Sequence, residues 1–346
     1  MTQPALDTMG MWDATASLPE QVQEAVEACE KTAGLPDHDA IENVVVLGMG
    51  GSGIAGDILL ASAAPFMAVP VVVVKSYTVP AFVNENSLVF AVSFSGNTEE
   101  TLESASEAMA AGGRLVVVGG EGELAAMAEE WGITRIGVSP SIPMPRAAVG
   151  ALAVPPLLVL EQVGLFPGAR DWIDLAVTQL KRRRDRLVAD NSAAEQLARR
   201  LAGTFPLMHS SGALGTAAIN RWKGQIHENA KSPAFGSIQP ELCHNEIVGW
   251  GQHGDITRQL VSLVQLRHDH EHPQVSRRFE LVAELIREVM ANVEEVRAEG
   301  DGELAQLLDL ILFGDFVSLH LAGIAGIDPG PVAVITELKA LLTPSQ

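Results

Sequence analysis

The 346-residue chain is poor in several things that decide function. Its two cysteines, Cys29 and Cys243, are too few for a disulfide framework and lack the CxxC spacing of a metal site. With 10 Phe, 5 Trp and 1 Tyr, the core must be built from Ala, Val, Leu and Ile. Basic residues are scarce: 23 Lys and Arg against 43 Asp and Glu leave a net charge of -20. Such a field repels phosphate backbones and anionic lipid, which argues against nucleic-acid or membrane-surface binding as the main function. A small phosphate remains compatible, because local donors capture it. Long apolar runs are also missing. The longest apolar uncharged stretch, Ile58 to Val74, is interrupted by Pro65 and Pro70, and reads as a helix end, a turn and a buried strand. No basic region followed by an apolar run opens the chain, so no signal peptide is expected and the reading is a cytoplasmic soluble protein.

What is present is globular. The apolar fraction of 47% supports a sizeable core. At about 100–200 residues per domain, the length predicts two domains or one large one. After a helical stretch LPEQVQEAVEACEK, β-branched runs at Val44–Leu47, Val71–Val74, Leu88–Val92 and Leu115–Val118 alternate with helical patterns from about Ser52 and over Thr98–Ala111. Strand–helix alternation means right-handed βαβ units and a parallel sheet. This unit ends near Gly150, at the Pro-rich SPSIPMPR, giving domains at residues 1–150 and 151–346.

The second unit follows a helical stretch containing the basic run Lys181–Arg186, read as a solvated helix face. It has strands at Phe205–Met208 and Leu260–Leu266, and a C-terminal third expected to be helical over Arg277–Arg297, Glu303–Ile324 and Val332–Leu342. The halves echo one another, with Ser52-Gly-Ile-Ala-Gly56 after a strand in the first and Ser211-Gly-Ala-Leu-Gly215 in the second. The fold class is α/β, a tandem of similar domains, each a parallel sheet flanked by helices, with a helical C-terminal region.

Two loops of the first unit look built for phosphate. Gly48-Met-Gly50-Gly51-Ser52-Gly53 matches G-x-G-x-x-G between a strand and a helix, the dinucleotide fingerprint. That fingerprint wants an acid at the end of the second strand, where Val74-Lys75-Ser76-Tyr77 has none; a Lys there keeps an NADP reading open. The second loop, Ser93-Phe-Ser95-Gly-Asn97-Thr98, follows another strand and opens another helix, with Asn97 and Glu100 spaced as an N-cap pair. Side by side at the carboxyl edge of a parallel sheet, the backbone amides of Gly50 and Gly51 and the hydroxyls of Ser52, Ser93, Ser95 and Thr98 would surround one anion. The blander alternative is that these residues only cap helices.

GMGGSGIAGD with SFSGNTEETL resembles the sugar isomerase (SIS) phosphosugar-binding domain. RWKGQIHENAK (Arg221–Lys231) and PELCHNE (Pro240–Glu246) resemble the bifunctional phosphoglucose/phosphomannose isomerase branch of that family. Ile327-Asp328-Pro329 and Ile335-x-x-Leu338-Lys339 match its C-terminal signature, so the resemblance runs from Leu18 to Leu342. It implies two tandem SIS domains and interconversion of fructose 6-phosphate with glucose 6-phosphate and mannose 6-phosphate through an enediolate. It implies Glu228 as the base that shuttles the proton, and His244, contributed by a partner subunit, for ring opening. Lys339 would assist at the ring oxygen and Arg146 would hold the enediolate charge. The implied partners are a phosphorylated hexose and a second copy of the chain in a homodimer with shared sites; no cofactor is called for. Without the resemblance, Glu228 reads equally as a surface carboxylate, His244 as a structural histidine and Lys339 as a solvated helix lysine. Glu241 and Glu246, flanking His244, are candidates for orienting it. One departure stands out: Cys243 occupies a position where the family pattern reads Asn.

The tract His268-Asp-His270-Glu-His272 has alternating imidazoles that would suit a cation, but a polar loop between strand and Pro273 is the simpler reading, and no metal is assigned. Outside the isomerase reading stand a non-catalytic phosphosugar sensor, which the short acidic N-terminal segment disfavours, and an isomerase of another phosphosugar.

Overall fold

The computed structural model describes residues 6–30 and 32–342. Helices α1 (Met11–Ala16) and α2 (Leu18–Cys29) lead into a sheet of β1 (Asn43–Leu47), β2 (Val71–Val74), β3 (Ser87–Ser93), β4 (Arg114–Gly119) and β5 (Thr134–Gly137). All pairings are parallel, in the order β2-β1-β3-β4-β5. The crossovers run through α3 (Gly50–Ser62), α4 (Glu99–Ala110) and α5 (Glu123–Trp131). β1 and β3 are buried along their whole length, as β-branched runs in a doubly covered parallel sheet should be. Helices α6 (Val149–Val163), α7 (Ala169–Leu187) and α8 (Ala193–Leu201) follow.

The second sheet holds β6 (Phe205–Ser211), β7 (Phe235–Gln239), β8 (Val261–Arg267) and β9 (Asn292–Arg297), again parallel, in the order β7-β6-β8-β9. This repeats the order of β1–β4, so the echo between the halves is a repeat of topology. Its helices are α9 (Gly212–Asn229), α10 (Gly254–Leu260), α11 (Pro273–Ile286), α12 (Glu303–Ala325) and α13 (Ala333–Leu342). One hydrophobic core runs from β1 and β3 through α6 and α12 to β8.

Three expectations need correction. The segment read as a helix over Arg277–Arg297 breaks after α11 and ends in β9. NVEEVR shows neither strand alternation nor a buried run, because β9 is an edge strand with only Val296 fully buried. The basic run on α7 is only in part a solvated face, since Arg182 and Arg186 are exposed but Arg183 turns inward. Arg183 is buried, stacks over the Phe313 ring and pairs with Glu299 and Asp309, Arg184 reaches Glu20 at 2.7 Å, and Arg186 reaches Glu299 at 2.6 Å. The N-cap of α4 is Thr98, not Asn97; the Asn97 side chain instead receives the Glu123 amide at 3.0 Å. Among the described residues α12 is long and apolar enough to cross a membrane, yet it lies inside the protein against α7, α8 and α9.

Candidate active site

Order β2-β1-β3 puts a topological switch point between β1 and β3, the place where parallel sheets bind ligands at their carboxyl edge. The two loops singled out by sequence leave those two strands. They are stitched together by Ser52, whose hydroxyl accepts the Phe94 amide at 3.1 Å. Gly96 has φ +68°, and a Cβ there would lie 2.4 Å from the Glu121 carbonyl oxygen, so only glycine lets this turn pack on the loop before α5. Ser93 is buried and donates to the Thr98 hydroxyl at 3.2 Å, which fixes the start of α4 from below.

Two adjoining cavities open here. The larger, about 770 Å³, is lined by Gly50, Gly51, Ser52, Ser95, Asn97 and Thr98 on one side and by Arg146, Glu228 and Lys339 on the other. The smaller, about 190 Å³, shares Gly50, Gly51, Arg146 and Glu228 and adds Lys75, Asn220 and Gln225. Of the residues named from sequence, Gly50, Gly51, Ser52, Ser95, Thr98, Arg146, Glu228 and Lys339 therefore meet at one site. Ser93 and His244 line neither cavity.

Arg146 holds the site together. It sits on a short turn, Pro145–Ala147, and is buried among three parts of the chain. Its Nε donates to Asn229 Oδ1 at 2.8 Å, its Nη2 to the carbonyls of Pro329 (2.6 Å) and Gly330 (2.7 Å), and its Nη1 faces Glu228 at 3.4 Å. Burial lowers its pKa; Glu228 opposes that shift and Arg221 adds to it. Arginine nevertheless stays charged, so this is a fixed cation. Its carbonyl oxygen is in turn held by Arg221, which forms a buried two-pronged pair with Asp315 at 2.6 and 2.8 Å. Asn229, fully buried, donates onward to Ser318 at 2.9 Å.

Sequence reasoning missed this scaffold. Asn229 and Arg221 lie inside the quoted RWKGQIHENAK motif, and Asp315 was visible as an acid within an apolar helix, a signal that it had a buried partner. Lys231, in the left-handed region at φ 52°, donates to the Glu228 and Pro329 carbonyls, with its pKa lowered by burial and by Arg146. Residues 328–330, from which α13 departs with Lys339, are tied by Asp328, which receives Thr8 Oγ1 at 2.5 Å and Gly330 N at 3.0 Å.

His244 is exposed on the turn Glu241–His244 that follows β7. Its segment is pinned on both sides. Leu242 is buried beneath it, and the Glu246 carboxylate accepts from Ser237 and lies 3.0 Å from His209 Nε2 in the interior of β6. Burial raises the Glu246 pKa, but its bonds to His209 and Ser237 outweigh that and hold it below the usual carboxylate range. Asn245 donates to Glu241 at 2.7 Å. Cys243, in the departing position, gives its Sγ to Gln239 Oε1 at 3.0 Å, a bond within its own loop.

The second sheet has its own switch point, between β6 and β8. In the loop that leaves β8, Glu271, with a buried carboxylate, accepts from Arg267 at 2.7 Å and from the His268 amide at 3.1 Å. His268 points back to Ser211, His270 pairs with Glu303, and His272 caps α11 by accepting the Gln274 amide. Among the described residues no group of three metal-ligating side chains converges.

Residues 190–342 match the family described as the bacterial phospho-glucose isomerase C-terminal SIS domain. A bifunctional phosphoglucose/phosphomannose isomerase from Caldicellulosiruptor bescii is 35% identical over 333 residues, covering 95% of this chain and 98% of that one. A protein of the same description from Aquifex aeolicus is 33% identical, over 88% and 91% of the two chains. Among solved structures, the C-terminal domain of glucosamine-fructose-6-phosphate aminotransferase from Francisella tularensis superposes with a TM-score of 0.67 at 14% identity. It covers 93% of this chain and 97% of that one, a likeness of fold.

Proposed function

The chain belongs to the bifunctional phosphoglucose/phosphomannose isomerase family, and from that premise we propose how it works. It is an aldose–ketose isomerase that interconverts fructose 6-phosphate with glucose 6-phosphate and mannose 6-phosphate. The observation that carries the assignment of roles is that hydroxyl-rich loops and an acid–cation pair face each other across one cavity.

The phosphate sits at the N-termini of α3 and α4, bound by the amides of Gly50 and Gly51 and the hydroxyls of Ser52, Ser95 and Thr98. Ser93 acts beneath it, by holding Thr98. Glu228 takes the proton from C2 and returns it to C1, and Arg146 fixes the carboxylate in place while its positive charge faces the enediolate. Lys339 serves the ring oxygen end. The charge that develops is met by these cations, so the reading calls for no metal and predicts activity that survives chelation.

Ring opening falls to the partner subunit's His244 in a homodimer. Two features support this. His244 is exposed and away from its own chain's cavities, and the neighbouring surfaces are apolar: Val248 is 80% exposed, as is Val334 on α13, with Leu341 at 77%. Apolar side chains this exposed beside a site are an interface signature. A cytoplasmic setting agrees with both cysteines being free thiols.

Mixing inactive variants tests the shared site. Glu228→Gln and His244→Ala homodimers should each be inactive. Equal mixing after dissociation gives about half heterodimers, each with one site carrying both native residues, so about a quarter of wild-type turnover should return. No recovery in a mixture shown to contain heterodimers refutes the sharing. Separate coupled assays with glucose 6-phosphate and mannose 6-phosphate, before and after chelation, test the substrates and the metal-free reading.

A further inference from the structure

The reaction so described leaves the smaller cavity without a role. It shares the Gly50–Gly51 edge and the Arg146–Glu228 wall with the larger space, but Ser52, Ser95, Asn97 and Thr98 line only the larger, whereas Lys75, Asn220 and Gln225 line only the smaller. A hexose 6-phosphate anchored at the hydroxyl-rich end would bring C1 and C2 to the shared wall, with their oxygens directed beyond it.

Three cations line this smaller space, and two have spent most of their donors on the protein. Of Arg146's five N–H groups, Nε serves Asn229, Nη2 serves two carbonyls and Nη1 faces Glu228. Arg221 is committed to Asp315 and to the Arg146 carbonyl. Lys75 is different. Its ammonium carries three donors, and among the described residues the one bond it makes to a side chain is to Asp57 Oδ2, at 2.6 Å. Asp57 also lies 3.4 Å from Asn220 Nδ2, so a second element steadies the pair. The lysine reaches this place because Gly53 has no side chain; a Cβ there would stand 3.1 Å from Lys75 Cε.

We infer that the smaller cavity is the subsite for the C1 and C2 oxygens and that Lys75 is a further cation of the catalytic site, beside Arg146 and Lys339, an inference that rests on the isomerase reading. From the aldose side, Glu228 takes the C2 proton, the C–H electron pair becomes the C1–C2 double bond, and the carbonyl pair moves onto O1. Lys75 donates a hydrogen bond to that O1 anion and keeps its proton. Moving the hydroxyl proton from O2 to O1 and returning the Glu228 proton to C1 completes the ketose. Asp57 holds the ammonium in position without reaching the substrate.

Two probes separate this role from a structural one. A pentonate 5-phosphate carries a carboxylate where the enediolate oxygens form; a hexitol 6-phosphate is neutral there. A charge-assisted hydrogen bond is worth about tenfold or more in affinity. Lys75→Met should therefore weaken the pentonate at least about tenfold and the hexitol less than twofold, and should lower kcat about tenfold or more with KM little changed. Lys75→Arg should restore part of the pentonate affinity. Equal loss of both probes in a folded protein, or no loss of either, overturns the inference. Retained hexitol phosphate binding is itself the check on folding; if Lys75→Met loses it, Lys75→Gln is read by the same ratio. A wild-type protein that turns over neither hexose phosphate and binds neither probe sinks the isomerase reading. A wild type that does both, with the ratio unmoved in the variant, sinks only the role of Lys75.

Discussion

Replacing Gly51 by alanine tests whether the placement of Arg146 controls the rate. Gly51 lies in the first turn of α3, directly under the loop that presents the arginine. A Cβ at this position would stand 2.8 Å from the carbonyl carbon and oxygen of Pro145 and 2.9 Å from Arg146 N. Carbon contacts are comfortable near 3.5 Å, so the loop must retreat by about 0.7 Å. No rotamer change can relieve the clash, because every atom it meets is backbone. Nor can the loop move freely, since Arg146 is tied on its other side to the Pro329 and Gly330 carbonyls.

The overpacking costs about 1–3 kcal/mol, offset by up to about 1 kcal/mol of helix propensity. Stability should therefore fall by no more than about 3 kcal/mol. Rate is the more sensitive quantity, because displacing a positioned group by about 1 Å costs up to roughly a hundredfold. Steady-state kinetics on fructose 6-phosphate, with urea unfolding alongside, should show kcat reduced ten- to a hundredfold in a folded protein. Wild-type kcat in Gly51→Ala would refute the claim that the Pro145–Arg146 loop sets the geometry of the site. Gly224→Ala serves as the stability comparison: it is helical, and its Cβ would meet nothing within 4 Å.

The remaining predictions concern groups away from the cavity. Glu246→Gln removes the charge that ties the His244 segment to β6 and β7; kcat should fall about tenfold with KM and the mass in solution unchanged, and an unaltered pH–rate profile would leave Glu246 merely structural. His320 is buried against Trp12, and burial lowers its pKa to about 4 from 6.5, with Glu195 opposing and Arg199 adding to the shift. The unfolded chain then binds more protons between those values, so stability from this group is present above pH 6.5 and is lost as pH falls toward 4. The loss is about 2 kcal/mol between pH 7.5 and 5. Urea titrations of wild type and His320→Phe should diverge by that amount across the interval, and parallel curves would show that His320 is not buried as a neutral ring.

Much of the architecture was legible from local chemistry. The Val-rich runs of β1, β2 and β4 and the glycine- and hydroxyl-rich loops that follow β1 and β3 declare a parallel sheet with an anion site at its carboxyl edge, because buried strands and helix N-termini each need particular residues at short range. The strands that escaped notice, β5, β7 and β9, are all edge strands. With one face or one side open to solvent, TRIG, FGSIQ and NVEEVR need no hydrophobic run, and nothing in their composition marks them.

The site divides in the same way. The phosphate loops are contiguous in sequence, and each loop's residues are chemically suited to an anion on their own, so they could be read directly. Glu228, Lys339 and Arg146 could be named only through a family resemblance, since a lone carboxylate or lysine on a helix carries no local sign of what it faces. Their meeting is the work of the tertiary structure, which brings residues 146, 228 and 329–330 within hydrogen-bond range of one guanidinium. The same long-range packing drew Arg183 of α7 into a buried ion pair with Asp309 and placed Lys75 beside the reacting end of the cavity. Sequence by itself determined which segments become strands and which loops favour an anion, because those preferences act within a few residues. Which charges face each other was decided only when the two sheets closed around their shared core, because a charge's partner is chosen by distance in space and not along the chain.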